Sequence, residues 1–130
     1  MFANTPLTAA LPASDLDRAK AWYSEKLGLQ PVWEDEYGGA HYEAGGTHFL
    51  VYVSPFAGTN QATAAGFSVE NFDEMIGELR GKGVTFEEVD FGELGKTIDG
   101  VISSPDGMGK AAWFKDSEGN ILALSTPPPA

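Results

Sequence analysis

Apolar and polar residues follow two different periods along this chain, and the periods change in the same order twice. Residues 6–13 read as a short strand. Ser14-Asp15-Leu16-Asp17 then places a serine cap with an acid three positions on, the signature of a helix start. Leu16, Ala19, Trp22, Tyr23 and Leu27 fall on one helical face, and Gly28 ends it. Residues 29–37 predict a strand, Gly38-Gly39 a tight turn, residues 40–44 a second strand, and Gly45-Gly46 another turn. Residues 47–54, rich in β-branched and aromatic side chains, predict a third strand. Residues 55–63 are a loop.

The pattern then returns. Residues 64–69 predict a strand, Asn71 with Glu74 a second cap-and-acid pair, and Phe72, Met75, Ile76 and Leu79 an apolar helical stripe closed by Gly83. A strand over residues 84–91, a Gly-rich connection over 92–109, and strands over 110–115 and 121–126 complete the half. Pro127-Pro128-Pro129 implies an extended tail at 127–130. Leu16-Asp17 matches Phe72-Asp73 at an offset of 56, Gly28 matches Gly83 at 55, and the last strands match at 71. A repeat of this length defines the organisation. The expected fold is α+β, one domain of two βαβββ modules at about residues 6–55 and 63–126. One helix cannot cover a sheet alone, so the halves must share a core.

Composition narrows the function. Apolar residues make up 42% of the 130 and charged residues 21%, an ordinary globular balance. No apolar run reaches the roughly 20 residues of a membrane span. The first fifteen residues lack a basic, apolar leader, and there is no cysteine for disulfide or thiolate chemistry. The expectation is a cytoplasmic protein with no membrane partner. Nineteen acids against eight bases give a net charge of −11, which would repel nucleic acid and attract a cationic ligand to any cleft that exists.

The run Ser14-Asp15-Leu16-Asp17-Arg18-Ala19-Lys20-Ala21-Trp22-Tyr23, followed by Lys26-Leu27-Gly28-Leu29, resembles the opening of the vicinal oxygen chelate superfamily. That superfamily includes the glyoxalases and bleomycin-resistance proteins. Ala112-Trp113-Phe114-Lys115-Asp116-Ser117-Glu118-Gly119-Asn120-Ile121-Leu122 resembles its closing signature, with Ser117 where a proline is usual. The resemblance covers residues 7–126. It implies cupped mixed sheets around a cavity, helices outside, and a homodimer whose clefts are shared between protomers. In metal-dependent members a divalent ion is held by His, Glu or Gln from the first and last strand of each half. Counting from the motifs, those positions fall at Thr8, Tyr52, Ala64 and Ala123. A hydroxyl, a neutral phenol and two methyls make a poor donor set, so no metal and no other cofactor is expected.

His41 and His48 are the only histidines and lie on strands joined by the Gly45-Gly46 turn, where they can face one another. A two-histidine metal site completed by Glu43 is one option; cavity-lining histidines are the other. By the repeat, His41 corresponds to Trp113 and Tyr42 to Phe114, which sends His41 and Trp113 toward the cleft. Trp33, Tyr37, His41, Tyr52, Phe56, Phe67 and Trp113, with Thr8, are the candidate ligand-binding residues. Aromatic faces in an acidic concavity suit a flat or cationic compound. Glu34, Asp35, Glu36, Glu87, Glu88 and Asp90 either rim that concavity or form solvated outer faces. Gly95-Lys96-Thr97 lacks the first glycine of a phosphate loop, and no nucleophile elbow is present.

Three functions compete. The first is a metal-independent binding protein that sequesters a natural product, as in drug resistance. The second is a lyase, isomerase or hydrolase of a small metabolite, with His41 or Glu43 as general base. The third is a housekeeping or partner-binding role, because fold alone does not fix function.

Overall fold

A computed structural model describes residues 1–128; the proposed tail at 127–130 lies partly outside them. The chain runs β1 (Ala9–Ala13), α1 (Leu16–Leu27), β2 (Trp33–Glu34), β3 (Gly39–Ala44), β4 (Thr47–Val53), then β5 (Thr63–Ser68), α2 (Phe72–Gly81), a 3-10 turn (Gly92–Leu94), β6 (Ile102–Ser103), β7 (Lys110–Lys115) and β8 (Ile121–Ser125). Two four-stranded sheets result, ordered β1-β4-β3-β2 and β5-β8-β7-β6. In each, the first strand pairs parallel to the last and the other pairs are antiparallel. The architecture is the expected α+β arrangement of two repeated modules.

Alternation along the strands sorts the two faces of each sheet. Leu11, Ala13, Ala40, Tyr42, Phe49 and Val51 are buried on one face of the first sheet; Ala112, Phe114, Leu122 and Leu124 are buried on one face of the second. Helix α1 touches both. Its Tyr23 ring lies 5.6 Å from Tyr42 and 6.1 Å from Phe49, while Trp22 stacks on Phe114 at 6.3 Å. All of these side chains join one cluster, so the halves do share a core. The opposite faces of the sheets carry Thr8, His41, His48 and Tyr52 in the first half and Trp113 and Ala123 in the second.

A polar brace holds the modules together. The Glu118 carboxylate, in the β7–β8 turn, accepts from the Ser14 and Asp15 amides at 2.9 and 3.1 Å and from Arg18 Nε and Nη2 at 2.8 and 2.9 Å. Ser14 is thereby drawn to Glu118, and Asp15 becomes the cap of α1, accepting from the Arg18 amide at 3.0 Å. Nearby, buried Asp116 accepts from Tyr23 Oη at 2.6 Å and from Asn120 Nδ2 at 2.8 Å. The quoted opening and closing motifs are therefore two sides of one joint.

The outer strands depart from expectation. Residues 29–37 give only the two-residue β2, because Asp35 turns the chain: its Oδ1 accepts from the Tyr37 and Gly39 amides, both at 2.9 Å. Residues 84–91 form no continuous strand. Phe86 makes an isolated bridge to Phe114 and Asp90 one to Lys96. Thr97 holds Val89 instead, its hydroxyl accepting the Val89 amide at 2.8 Å. The edge position passes to β6, from the Gly-rich connection, paired with Lys110 and Ala111.

The repeat register also shifts. Ala9 pairs with Phe49, and its counterpart Ala65 pairs with Leu122. The last strands therefore match at an offset of 73 rather than 71, and Leu50, not Tyr52, is the first-half equivalent of Ala123. Tyr52 stays on the same face, opposite Pro12.

Candidate functional site

On the open face of the first sheet, β3 and β4 place His41 opposite Leu50 and Glu43 opposite His48. The imidazoles of His41 and His48 are nearly coplanar, tilted by 8° with centroids 5.1 Å apart, and meet edge to edge. His41 Nδ1 lies 3.0 Å from His48 Nε2. On its other side His41 Nε2 lies 2.8 Å from Asp35 Oδ2, and His48 Nδ1 lies 3.3 Å from Thr8 Oγ1. Four residues, from the position just before β1, the turn after β2, β3 and β4, thus make one hydrogen-bonded chain, Asp35–His41–His48–Thr8.

The inner end is fixed firmly. The hydrogen bond from His41 and the two backbone amides hold the Asp35 carboxyl below the usual carboxylate range, against an opposing desolvation effect. His41 is only 9% exposed. The Trp33 indole covers its ring face to face, 3.9 Å away and tilted by 8°, with its own outer side left 54% exposed. Thr8, at the far end, is exposed.

On the open face of the second sheet, Trp113 donates from Nε1 to Thr63 Oγ1 at 3.0 Å, and Phe91 meets its ring at 54° and 5.2 Å. These rings, with Glu87, Glu88 and Ile121, line a hollow of about 470 Å³. That volume is within the range of small-molecule sites. Lys115 lies 3.5 Å from Glu87, and among the described residues Glu88 has no salt-bridge partner.

The structure divides the expected site residues into separate groups. Thr8, Trp33 and His41 come together, and Tyr52 shares their face. Trp113 sits in the hollow of the other sheet. Tyr37 is 86% exposed in the Asp35 turn, and Phe56 projects from the loop after β4. Phe67 is a correction. It pairs with Leu124, packs against the core, and lines an apolar hollow of about 210 Å³ beside both helices. Phe67 holds the place of Leu11 in the repeat, so Gly66 takes the open face, and a bulge between Thr63 and Ala65 turns Thr63 to that face as well. His48 meets His41 across the hairpin, and Asp35 was missed as its second partner. The cross-strand pairing of His48 with Glu43 was foreseeable; the return of Asp35 from a turn was not.

The positions inherited from the metal-binding pattern become Thr8, Leu50, Ala64 and Ala123, which do not fit a divalent ion. The histidines do not repair the deficit, since all four ring nitrogens are directed into the hydrogen-bonded chain. Among the described residues no three His, Asp or Glu side chains converge as a metal site. In this geometry both His41 nitrogens are hydrogen-bonded, Nε2 to Asp35 and Nδ1 to His48.

Repeated mixed sheets, a shared helical core and open inner faces define a paired-module protein. The chain matches the profile of the Glyoxalase/Bleomycin resistance protein/Dioxygenase superfamily over residues 6–124 and belongs to that superfamily. No curated protein matches the sequence significantly. Solved structures with the same fold include UcmS2, at a TM-score of 0.72 and 21% identity, covering 94% of this chain and 97% of that one. A glyoxalase family protein from Enterococcus faecalis superposes at 0.71 with 21% identity, covering 96% and 99%. The fosfomycin resistance protein FosX from Listeria monocytogenes, in complex with Mn(II) and dihydroxypropylphosphonic acid, superposes at 0.70 with 13% identity, covering 98% and 93%. No helix among the described residues is long and apolar enough to cross a membrane.

Proposed function

We propose that this chain is a metal-independent small-molecule-binding protein of its superfamily, sequestering a flat, cationic or aromatic natural product. The observation that carries this reading is the hollow lined by the angled rings of Trp113 and Phe91 together with Glu88 and the Glu87–Lys115 pair. Angled aromatic faces backed by carboxylates attract a cation through its charge and a flat ring through stacking. The Trp33 platform offers a second such surface, and the net charge of −11 favours cations at both.

Exposed Val32, Trp33, Tyr37 and Phe56 support a homodimer in which the open face of one protomer closes over that of its partner. Two shared clefts would then each combine a Trp33 platform with a Trp113 hollow. A cytoplasmic location fits the cysteine-free sequence.

The test is tryptophan fluorescence during titration with cationic polyaromatic natural products, with and without EDTA. The expected result is saturable quenching near one ligand per protomer, unaffected by EDTA and weakened at least tenfold in Trp113→Ala. Absence of quenching by every compound, or quenching abolished by EDTA, overturns the reading.

A further inference from the structure

The hydrogen-bonded chain on the first sheet has a direction, and the direction specifies what its open end recognises. Asp35 is held as a carboxylate by His41 and two amides, so it can only accept. With both imidazoles in their neutral form, His41 carries its proton on Nε2 and presents Nδ1 as an acceptor. His48 then donates from Nε2 and accepts at Nδ1, which leaves the Thr8 hydroxyl as the donor across 3.3 Å. In that form each contact of the chain holds one proton. Thr8 has thus committed its only proton inward, and the lone pairs of its oxygen face outward on an exposed position.

Beside this end Glu43 is the cross-strand neighbour of His48, and the chain as a whole carries a net charge of −11. An acceptor in that field selects a positively charged donor. An anion would be repelled, and a quaternary cation would leave the acceptor unused. Trp33 lies two imidazole rings away, parallel to His41 and open on its outer side.

We propose that the open face of the first sheet is an aryl-ammonium subsite: the ligand's ring system stacks on Trp33, and its protonated amine donates to Thr8 Oγ1. Asp35, His41 and His48 are positioning residues that fix Thr8 as an acceptor and hold the ring beneath Trp33. This deepens the binding function proposed above and rests on it. It assigns the charged group of the ligand to Thr8 and the site's specificity to an N–H donor.

The experiment is isothermal titration calorimetry with naphthyl-alkylamines of one to four methylenes and the N,N,N-trimethyl counterpart of the tightest. The primary amine should bind wild-type protein about tenfold or more tightly than its trimethyl counterpart, the usual scale of a charge-assisted hydrogen bond. Thr8→Val should remove that difference by weakening the primary amine alone, and Thr8→Ser should restore it. His48→Phe, which removes the acceptor for the Thr8 hydroxyl, should give the loss seen in Thr8→Val, while Trp33→Leu should weaken both probes together. Thermal melts of each variant verify folding, and Thr8→Val, on an exposed position, is expected to melt with the wild type. Binding of both amines with no preference, or a preference that survives in Thr8→Val, overturns the subsite while leaving the sequestration reading intact. Failure of wild-type protein to bind either amine overturns the subsite too, and the natural-product titration then decides the broader reading separately.

Discussion

Replacing Glu118 by glutamine should loosen the joint between the two modules, and the size of the effect should depend on pH. The carboxylate is fully buried as a side chain, 0% exposed against 53% for its partner Arg18. It accepts from Arg18, the Ser117 and Ser14 hydroxyls and two backbone amides. The Arg18 hydrogen bond is the leading cause that lowers its pKa from 4.5 to about 2, with desolvation opposing it. A group depressed on folding stabilises the native state above its unfolded pKa and loses that contribution as pH falls through the folded value. A shift of this size corresponds to about 3 kcal/mol at pH 7, falling to about 1.5 kcal/mol near pH 3.

Glutamine keeps the shape but turns one acceptor into a donor facing donors. The expected loss at pH 7 is about 3 kcal/mol, or a Tm lower by about 10 °C for a chain of this length. Calorimetric melts of wild type and Glu118→Gln at pH 7 and pH 3 test this. The gap should shrink by about half at the lower pH. A loss below about 1 kcal/mol at pH 7, or a gap unchanged between the two pH values, would refute the claim that this carboxylate is ionised and bound at the joint.

Two further substitutions examine the core and the chain of histidines. Tyr42 is buried, desolvation raises its pKa to about 12, and among the described residues its hydroxyl has no hydrogen-bond partner. Tyr42→Phe should therefore raise the Tm by about 4 °C, equivalent to about 1 kcal/mol, and a lower Tm would show that the hydroxyl has a partner. At Gly39 an added Cβ would collide with the Asp35 carboxylate and come within 2.9 Å of Leu50 Cδ1. Gly39→Ala should push Asp35 off His41, and the hydrogen-bonded His41 Nε2 proton should disappear from its downfield NMR position. Persistence of that signal in a folded variant would count against the assigned partner.

The doubled pattern was legible because it depends on local properties. Helix α1 follows from the spacing of Ala19, Trp22, Tyr23 and Leu27, and the hairpin of β3 and β4 follows from the Gly45-Gly46 turn between β-prone runs. The edges were not legible. Pairing at the rim of a sheet competes with side-chain interactions from distant positions, and Asp35 and Thr97 captured backbone groups that a strand would have used. Phe67 takes the core face because it occupies the position of Leu11 in the repeat, paired with buried Leu124. His41 and Trp113 were correctly assigned to the open faces because their neighbours Tyr42 and Phe114 have the strongest claim on the core. The partnership with Asp35 needed the turn geometry, which composition does not encode.

The two histidines are tied into one hydrogen-bonded chain. At the first strand Thr8 supplies a hydroxyl, and it lies against His48 from β4. A metal would need imidazole lone pairs to converge on one point; here all four ring nitrogens face Asp35, Thr8 or each other. Such a chain has little freedom to reorganise. His41 is fixed at both nitrogens and buried beneath Trp33, so the stacking surface is in place before a ligand arrives. Groups already ordered lose less entropy on binding, which favours a site built to hold a compound.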